Sequence, residues 1–193
     1  MARLDALVAA ASTNGTAPVD QWDPPYCGDI GLRIARDGAW SYGGTPINRA
    51  QLVKLFARVL RRDSNGRYYL VTPAEKVDVI VEDAPFRAVE MQVDGIGDDQ
   101  TLTFRTNLDD IVVCGPDHPL VFRTEPGTGG LKPYVFVRGR LEALVTRAVY
   151  MDLVALARPS HGVEGDLSAS TDDMLEVVSG GASFPLIPDF QAA

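Results

Sequence analysis

Between Tyr68 and Val93 apolar and polar residues alternate in two runs separated by Glu82-Asp83-Ala84-Pro85. In the first run Val77, Val79 and Val81 share one face, and Lys76, Asp78 and Glu82 share the other. In the second, Val89, Met91 and Val93 alternate with Ala88, Glu90 and Gln92. A period of two in residues rich in β-branched side chains predicts half-buried antiparallel strands joined by a hairpin turn. The period recurs upstream, where Ile30, Leu32 and Ile34 oppose Arg33, Asp37-Gly38 marks a tight turn, and Ala39–Tyr42 returns as the partner strand before Gly43-Gly44. Shorter strands are expected at Tyr68–Val71, Leu102–Arg105, Ile111–Val113, Leu120–Arg123, Pro133–Arg138 and Met174–Val178, with a last apolar segment around Phe184.

The period changes to that of a helix at Leu52, Leu55, Phe56, Val59 and Leu60. Asn48 and Gln51 have the spacing of a capping box, Arg61 and Arg62 would fill the last turn, and Asn65-Gly66 would stop the helix. Arg140–Arg158 has the propensity of one long helix, but a short repeat divides it. Ile47-Asn48-Arg49-Ala50 ahead of Leu55-Phe56-Ala57 is matched by Val145-Thr146-Arg147-Ala148 ahead of Leu153-Val154-Ala155. Arg140–Val145 is therefore expected as a strand, Thr146 as an N-cap, and the second helix as ending at Arg158 before Pro159. The fold class that follows is α+β: two small domains, residues 1–72 and 73–193, with a repeated strand–turn–strand–helix unit and antiparallel sheets. Met1–Ala11 reads as a short amphipathic helix, because Asp5 interrupts an apolar run too short for a leader peptide.

Composition narrows the function classes. The chain has 193 residues, 46% of them hydrophobic, enough for a real core. Its net charge of −8 argues against a general nucleic-acid binder. No stretch approaches a membrane span, and the two cysteines, Cys27 and Cys114, are too few for a disulfide framework, so the expected compartment is the cytoplasm. Cys27, Cys114, His118 and His161 lack any metal-ligand spacing, and no metal or cofactor is expected. Cys114 and His118 flank a turn without an evident orienting group for nucleophilic chemistry. Gly127–Lys132 looks like a phosphate loop, but Lys132 precedes Pro133 and a strand, so a hairpin connection is expected. The acidic pairs Asp98-Asp99, Asp109-Asp110 and Asp172-Asp173 read as solvated loop charges. Thr72–Lys76 offers a hydroxyl, two opposite charges and a proline-fixed backbone. If Arg33, Arg36, Arg49 and Arg138 converge there they could hold an anion; the alternative is a surface salt-bridge cluster.

Five segments carry a family resemblance: Asp37–Arg49, Leu70–Lys76, Val81–Phe86, Thr106-Asn107 and Pro133–Arg138. In this order they resemble the bacterial domain-of-unknown-function family 1285, from about Pro24 to about Leu186. The resemblance implies a duplicated α+β core of two domains, the C-terminal one a strand-rich barrel like a pleckstrin-homology fold, closed by a helix. It also implies a ligand site in an interdomain cleft, for a small anionic or nucleotide-like ligand in signal transduction, and brings no catalytic activity with it. On the family's arrangement the site would comprise Thr72, Glu75, Lys76, Asp83, Phe86, Asn107, Tyr134 and Arg138. Lys76 and Arg138 would meet a phosphate or carboxylate, Thr72 and Asn107 a base or sugar, and Phe86 or Tyr134 would form an apolar wall, with Glu75 or Asp83 orienting the cations. The expected function is a non-enzymatic small-ligand sensor. The alternatives are a hydrolase or transferase acting on a nucleotide or phosphate ester, and a protein-interaction adaptor.

Overall fold

The computed structural model describes residues 17–160 and 174–188. The N-terminal helix, His161 and the Asp172-Asp173 pair expected from the sequence lie outside the described residues. The chain divides into two compact units, one comprising residues up to Pro85 with Gly139–Leu141, the other Phe86–Arg138 and the residues from Glu142 onward.

Among its described residues the first unit holds a six-stranded sheet, a 3-10 turn at Val19–Gln21 and one α-helix. Its strands are β1 (Tyr26–Ile34), β2 (Trp40–Tyr42), β3 (Thr45–Pro46), β4 (Leu60–Arg62), β5 (Tyr68–Val71) and β6 (Lys76–Val81), in spatial order β3-β2-β1-β6-β5-β4. Helix α1 (Ala50–Arg58) buries Val53, Phe56 and Ala57, three positions on one helical face. The core of the unit combines these with Leu32, Ile34, Trp40, Leu70, Val77 and Val79. Trp40 and Phe56 stack with ring centroids 6.2 Å apart.

Helix α1 is shorter than its apolar spacing suggests. Arg49 takes the N-cap position with no side-chain cap bond, so Asn48 does not cap it. Val59 and Leu60 are fully buried, but as the entry to β4, which pairs with β5 through Leu60↔Leu70, Arg61↔Tyr69 and Arg62↔Tyr68. The turn between them closes with Asp63 N donating to Arg67 O (3.0 Å) and Gly66 N donating to Asp63 O (3.0 Å). Asn65-Gly66 is thus a hairpin turn, and ladder hydrogen bonds override the helical propensity of Arg61 and Arg62.

The sheets are mixed, which corrects the antiparallel expectation. β1 and β6 run parallel. The runs on either side of Glu82–Pro85 are not a hairpin, because β6 inserts between β1 and β5 while the next strand, β7 (Phe86–Asp94), belongs to the other unit. The boundary accordingly falls at Pro85–Phe86 and not near Thr72.

The second unit holds a sheet ordered β10-β11-β12-β7-β8-β9, with β8 (Thr101–Thr106), β9 (Ile111–Val113), β10 (Leu120–Thr124), β11 (Leu131–Arg138) and β12 (Leu141–Val145). β12 and β7 are parallel, and β10 and β11 form the hairpin around the glycine-rich loop. Helix α2 (Arg147–Ala155) follows β12 with Thr146 at the N-cap position, and buries Val149 and Leu153. It ends before Arg158, because Arg158-Pro159 is β13, paired with β14 (Leu175–Ser179) in a three-stranded sheet completed by β15 (Ala182–Pro185). Ser179 Oγ accepts from Leu102 N and donates to Cys114 O, both at 2.8 Å, tying β14 to the larger sheet. The two helices are not preceded by equivalent strands. β3 is a two-residue exposed edge strand, whereas every residue of β12 is buried in mid-sheet. No helix among the described residues is long and apolar enough to cross a membrane.

Candidate functional site

The face of the first sheet that carries Tyr69 and Asp78 is polar. Pairing registers place Arg61, Tyr69, Asp78 and Asp29 in one row across β4, β5, β6 and β1. Period two brings Asp63, Arg67 and Lys76 to the flanks of this row. Asp78 interrupts a valine run and is 6% exposed. A buried carboxylate needs partners, and it has two: Arg67 Nη2 donates to Oδ1 at 2.6 Å, and the Tyr26 hydroxyl donates to Oδ2. The bond to Asp78, reinforced by burial, raises the Tyr26 phenol above its ordinary pKa. Tyr26 also sets its ring edge-on to Tyr69 at 6.3 Å, and Arg67 and Lys76 stand 5.6 and 4.9 Å from the Tyr69 centroid.

Beside this row Asp63 holds Arg61 Nε at 2.6 Å and Lys76 Nζ at 3.4 Å. Burial works to raise the Asp63 carboxyl, but the Arg61 bond and the two cations outweigh it and hold it below its ordinary range. Arg61 Nη1 donates to the carbonyls of Val19 and Trp22, fastening the incoming chain to β4.

The β1–β6 ladder is bulged beside Asp78. Asp29 pairs with Asp78 and Leu32 with Val79, so Ile30 and Gly31 have no counterpart on β6. Gly28 and Gly31 adopt φ of +83° and +82°, conformations that L side chains avoid. A Cβ on Gly31 would lie 3.2 Å from Gly43 N, whose N–H donates to Gly31 O at 3.0 Å. Next to this bulge is a cleft of about 320 Å3 lined by Asp29, Gly66, Arg67, Tyr68, Asp78 and the Val79–Val81 segment. Asp29 is exposed, and its Oδ1 accepts Gly31 N at 2.6 Å. The Arg67 side chain is 58% exposed and commits Nη2 to Asp78. The cleft therefore presents two carboxylates and one guanidinium edge.

The residues expected to form a site are placed as follows. Thr72 is buried, and its Oγ1 accepts from Ala74 N and Glu75 N, so it organises its own turn. Glu75 and Asp83 are half-buried. Lys76 lies on β6 two residues before Asp78, held by Asp63. In the second unit Phe86 is fully buried under the Arg138 guanidinium at 4.9 Å, and Arg138 Nη1 donates to Asp110 Oδ1 at 2.8 Å. Asn107 exchanges hydrogen bonds with the Arg87 backbone: its N–H donates to Arg87 O, and its Oδ1 accepts Arg87 N. Tyr134 packs under Arg123 at 4.5 Å, and Arg123 makes two 2.6 Å bonds to Glu142, which is 3% exposed. Phe86 and Arg138 are brought together; Tyr134 joins the separate Arg123–Glu142 pair. Cys114 is buried and its thiol is pushed up to about 12, so it is protonated at neutral pH and no nucleophile. His118 Nδ1 sits 3.1 Å from Phe136 O. Among the described residues no group of three metal-ligating side chains occurs.

Family models for the N-terminal and C-terminal domains of DUF1285, a domain of unknown function, match residues 17–84 and 85–186. The chain is similar to the crystal structure of a DUF1285 family protein from Silicibacter pomeroyi DSS-3, with TM-score 0.85, 44% identity, and coverage of 96% of this chain and 94% of that one. It is also similar to a DUF1285 family protein from Shewanella baltica OS155, with TM-score 0.51 and 27% identity over 65% of this chain and 91% of that one. No curated protein matches the chain.

Proposed function

This chain belongs to the DUF1285 family, and from that membership we propose that it is a non-enzymatic binding protein for a small nucleotide-like ligand. We place the ligand within the first unit, at the bulge beside Asp78. The observation that carries the reading is the 320 Å3 cleft in which Asp29, Asp78 and Arg67 present acceptors and donors. A few convergent polar groups in one cleft suit recognition of a small molecule. Binding is favoured over catalysis because the buried carboxylate is already occupied. Asp78 already accepts from both Tyr26 and Arg67, and among the described residues no Ser, Thr, Cys, Lys or His lines the cleft beside it to act as nucleophile. A role in bacterial signal transduction and a pleckstrin-homology-like second unit, on the family resemblance, and a cytoplasmic location, on the composition, complete the proposal.

The test is incubation with a nucleotide and nucleoside panel, with and without divalent cations, read by thermal shift and by product analysis. Saturable stabilisation without turnover is expected. Turnover abolished by Asp78→Asn would replace the sensor with a hydrolase or transferase.

A further inference from the structure

The charge balance and donor pattern of the cleft point to the part of the ligand that it reads. Asp29 and Asp78 are cross-strand partners facing one cleft. Like charges so placed repel, and only Asp78 has a cation: among the described residues Asp29 makes no ion pair. With one guanidinium against two carboxylates the cleft carries a net negative charge, in a chain that is itself −8. A phosphate would meet both carboxylates, and the arginine it needs is already paired. A neutral hydroxyl group meets no such penalty, because it both donates and accepts. Carboxylates are also the groups that take ribose hydroxyls in dinucleotide sites.

Resting on the reading of this cleft as a small-ligand site, we propose that it binds the vicinal diol of a ribose, and that it discriminates against phosphate. Asp29 Oδ2 and the second acceptor position of an Asp78 oxygen receive the two hydroxyl protons. The N–H groups of Arg67 other than the one committed to Asp78 donate to a hydroxyl oxygen. Gly31 shapes the site through its left-handed backbone, which lets β1 arch away from β6. An amine could satisfy the carboxylates, but it could not accept from Arg67, so the diol uses more of what the cleft presents.

The experiment is amide NMR of the full chain, titrated separately with the four ribonucleosides, their 2′,3′-dideoxy counterparts, the ribonucleoside 5′-monophosphates and cadaverine. The expected result is that at least one ribonucleoside shifts resonances of Asp29, Gly66–Tyr68 and Asp78–Val81. Its dideoxy counterpart should bind at least about tenfold more weakly, the size of one lost hydrogen bond to a charged group. The monophosphate should bind no more tightly than the nucleoside. Asp29→Asn, an exposed position, should weaken the ribonucleoside and leave the dideoxy form unchanged. Equal binding of both forms at these residues would overturn the diol assignment while leaving the ligand site standing. Tighter binding of the monophosphate, or binding of cadaverine alone, would also overturn it. If no compound shifts these resonances, both the diol assignment and the ligand site fail.

Discussion

Removing Arg123 should destabilise the second unit more than loss of an exposed ion pair would. Glu142 lies on a strand whose five residues are all buried, and its side chain is 4% exposed. Both its oxygens take an Arg123 N–H at 2.6 Å, a bidentate fork that lysine cannot reproduce. Breaking a fully buried pair by deleting one partner costs ~3–5 kcal/mol. Arg123 is 29% exposed, so water screens the vacated site and the figure is reduced to about 2–3 kcal/mol. Loss of its guanidinium from the face of Tyr134, 4.5 Å away, adds to the cost. With a urea slope of roughly 2 kcal/mol/M, Arg123→Ala should lower the midpoint of the transition involving this unit by about 1–1.5 M. Arg123→Lys should fall between Ala and the parent. The Arg123→Met, Glu142→Leu double variant should recover most of the loss, because it removes both charges from the buried site. Circular dichroism and tryptophan fluorescence, followed in the same titration, show whether the two units unfold together. A shift below about 0.3 M for Arg123→Ala, or a double variant as unstable as the single one, would refute this reasoning.

The Tyr26 phenol is raised by its bond to Asp78, so its contribution to stability is complete below its unfolded pKa of roughly 10 and is lost as pH rises through the higher folded value. Tyr26→Phe should therefore flatten the alkaline limb of a plot of thermal midpoint against pH. Asp63 is lowered, so its contribution is present above roughly pH 4 and is lost as pH falls through the lower folded value; Asp63→Asn should flatten the acid limb. Gly31→Ala should cost about 1–2 kcal/mol, measured by urea unfolding, because φ is +82° and the new Cβ meets the Gly43 backbone at 3.2 Å. Cys114, buried and with its thiol near 12, should resist maleimide at pH 8 in the folded protein and react once urea exposes it, as peptide mapping would show.

Local periodicity made most strands legible, and Arg140–Arg158 does divide into β12 and α2, but the repeat behind that expectation is not realised: the first helix is capped at Arg49 rather than Asn48 and follows an exposed two-residue edge strand. Partner choice was not legible. The alternation on either side of Glu82–Pro85 is the same whether the strands pair with each other or enter different sheets, and only the long-range pairing of β6 with β1 decides it. Arg61 and Arg62 were misplaced because their helical spacing is also compatible with a strand, and the hairpin at Asn65-Gly66 settles the matter. Lys76 stands out in the sequence beside Thr72 and Glu75, whereas Asp78, two residues away, sits inside a valine-rich strand pattern. A charge within Val-Asp-Val-Ile-Val was a usable signal, since a charged residue in an interior strand must find a partner. Its partners Tyr26 and Arg67 lie 52 and 11 residues away, and no spacing rule joins them. The bulge at Ile30-Gly31 had a faint mark in the two glycines of Gly28-Asp29-Ile30-Gly31.

The proposed ligand site is the cleft beside Asp78. Equilibrium dialysis of the full chain against a bacterial metabolite extract, with retained compounds quantified by mass spectrometry, tests it most directly. Asp29→Asn and Arg67→Ser serve as controls at exposed positions, and their circular dichroism verifies the fold. The account predicts that the parent protein enriches a ribose-bearing compound at up to one equivalent and that both variants lose most of that enrichment. Enrichment undiminished by both substitutions, or no compound retained by the parent protein, would contradict it.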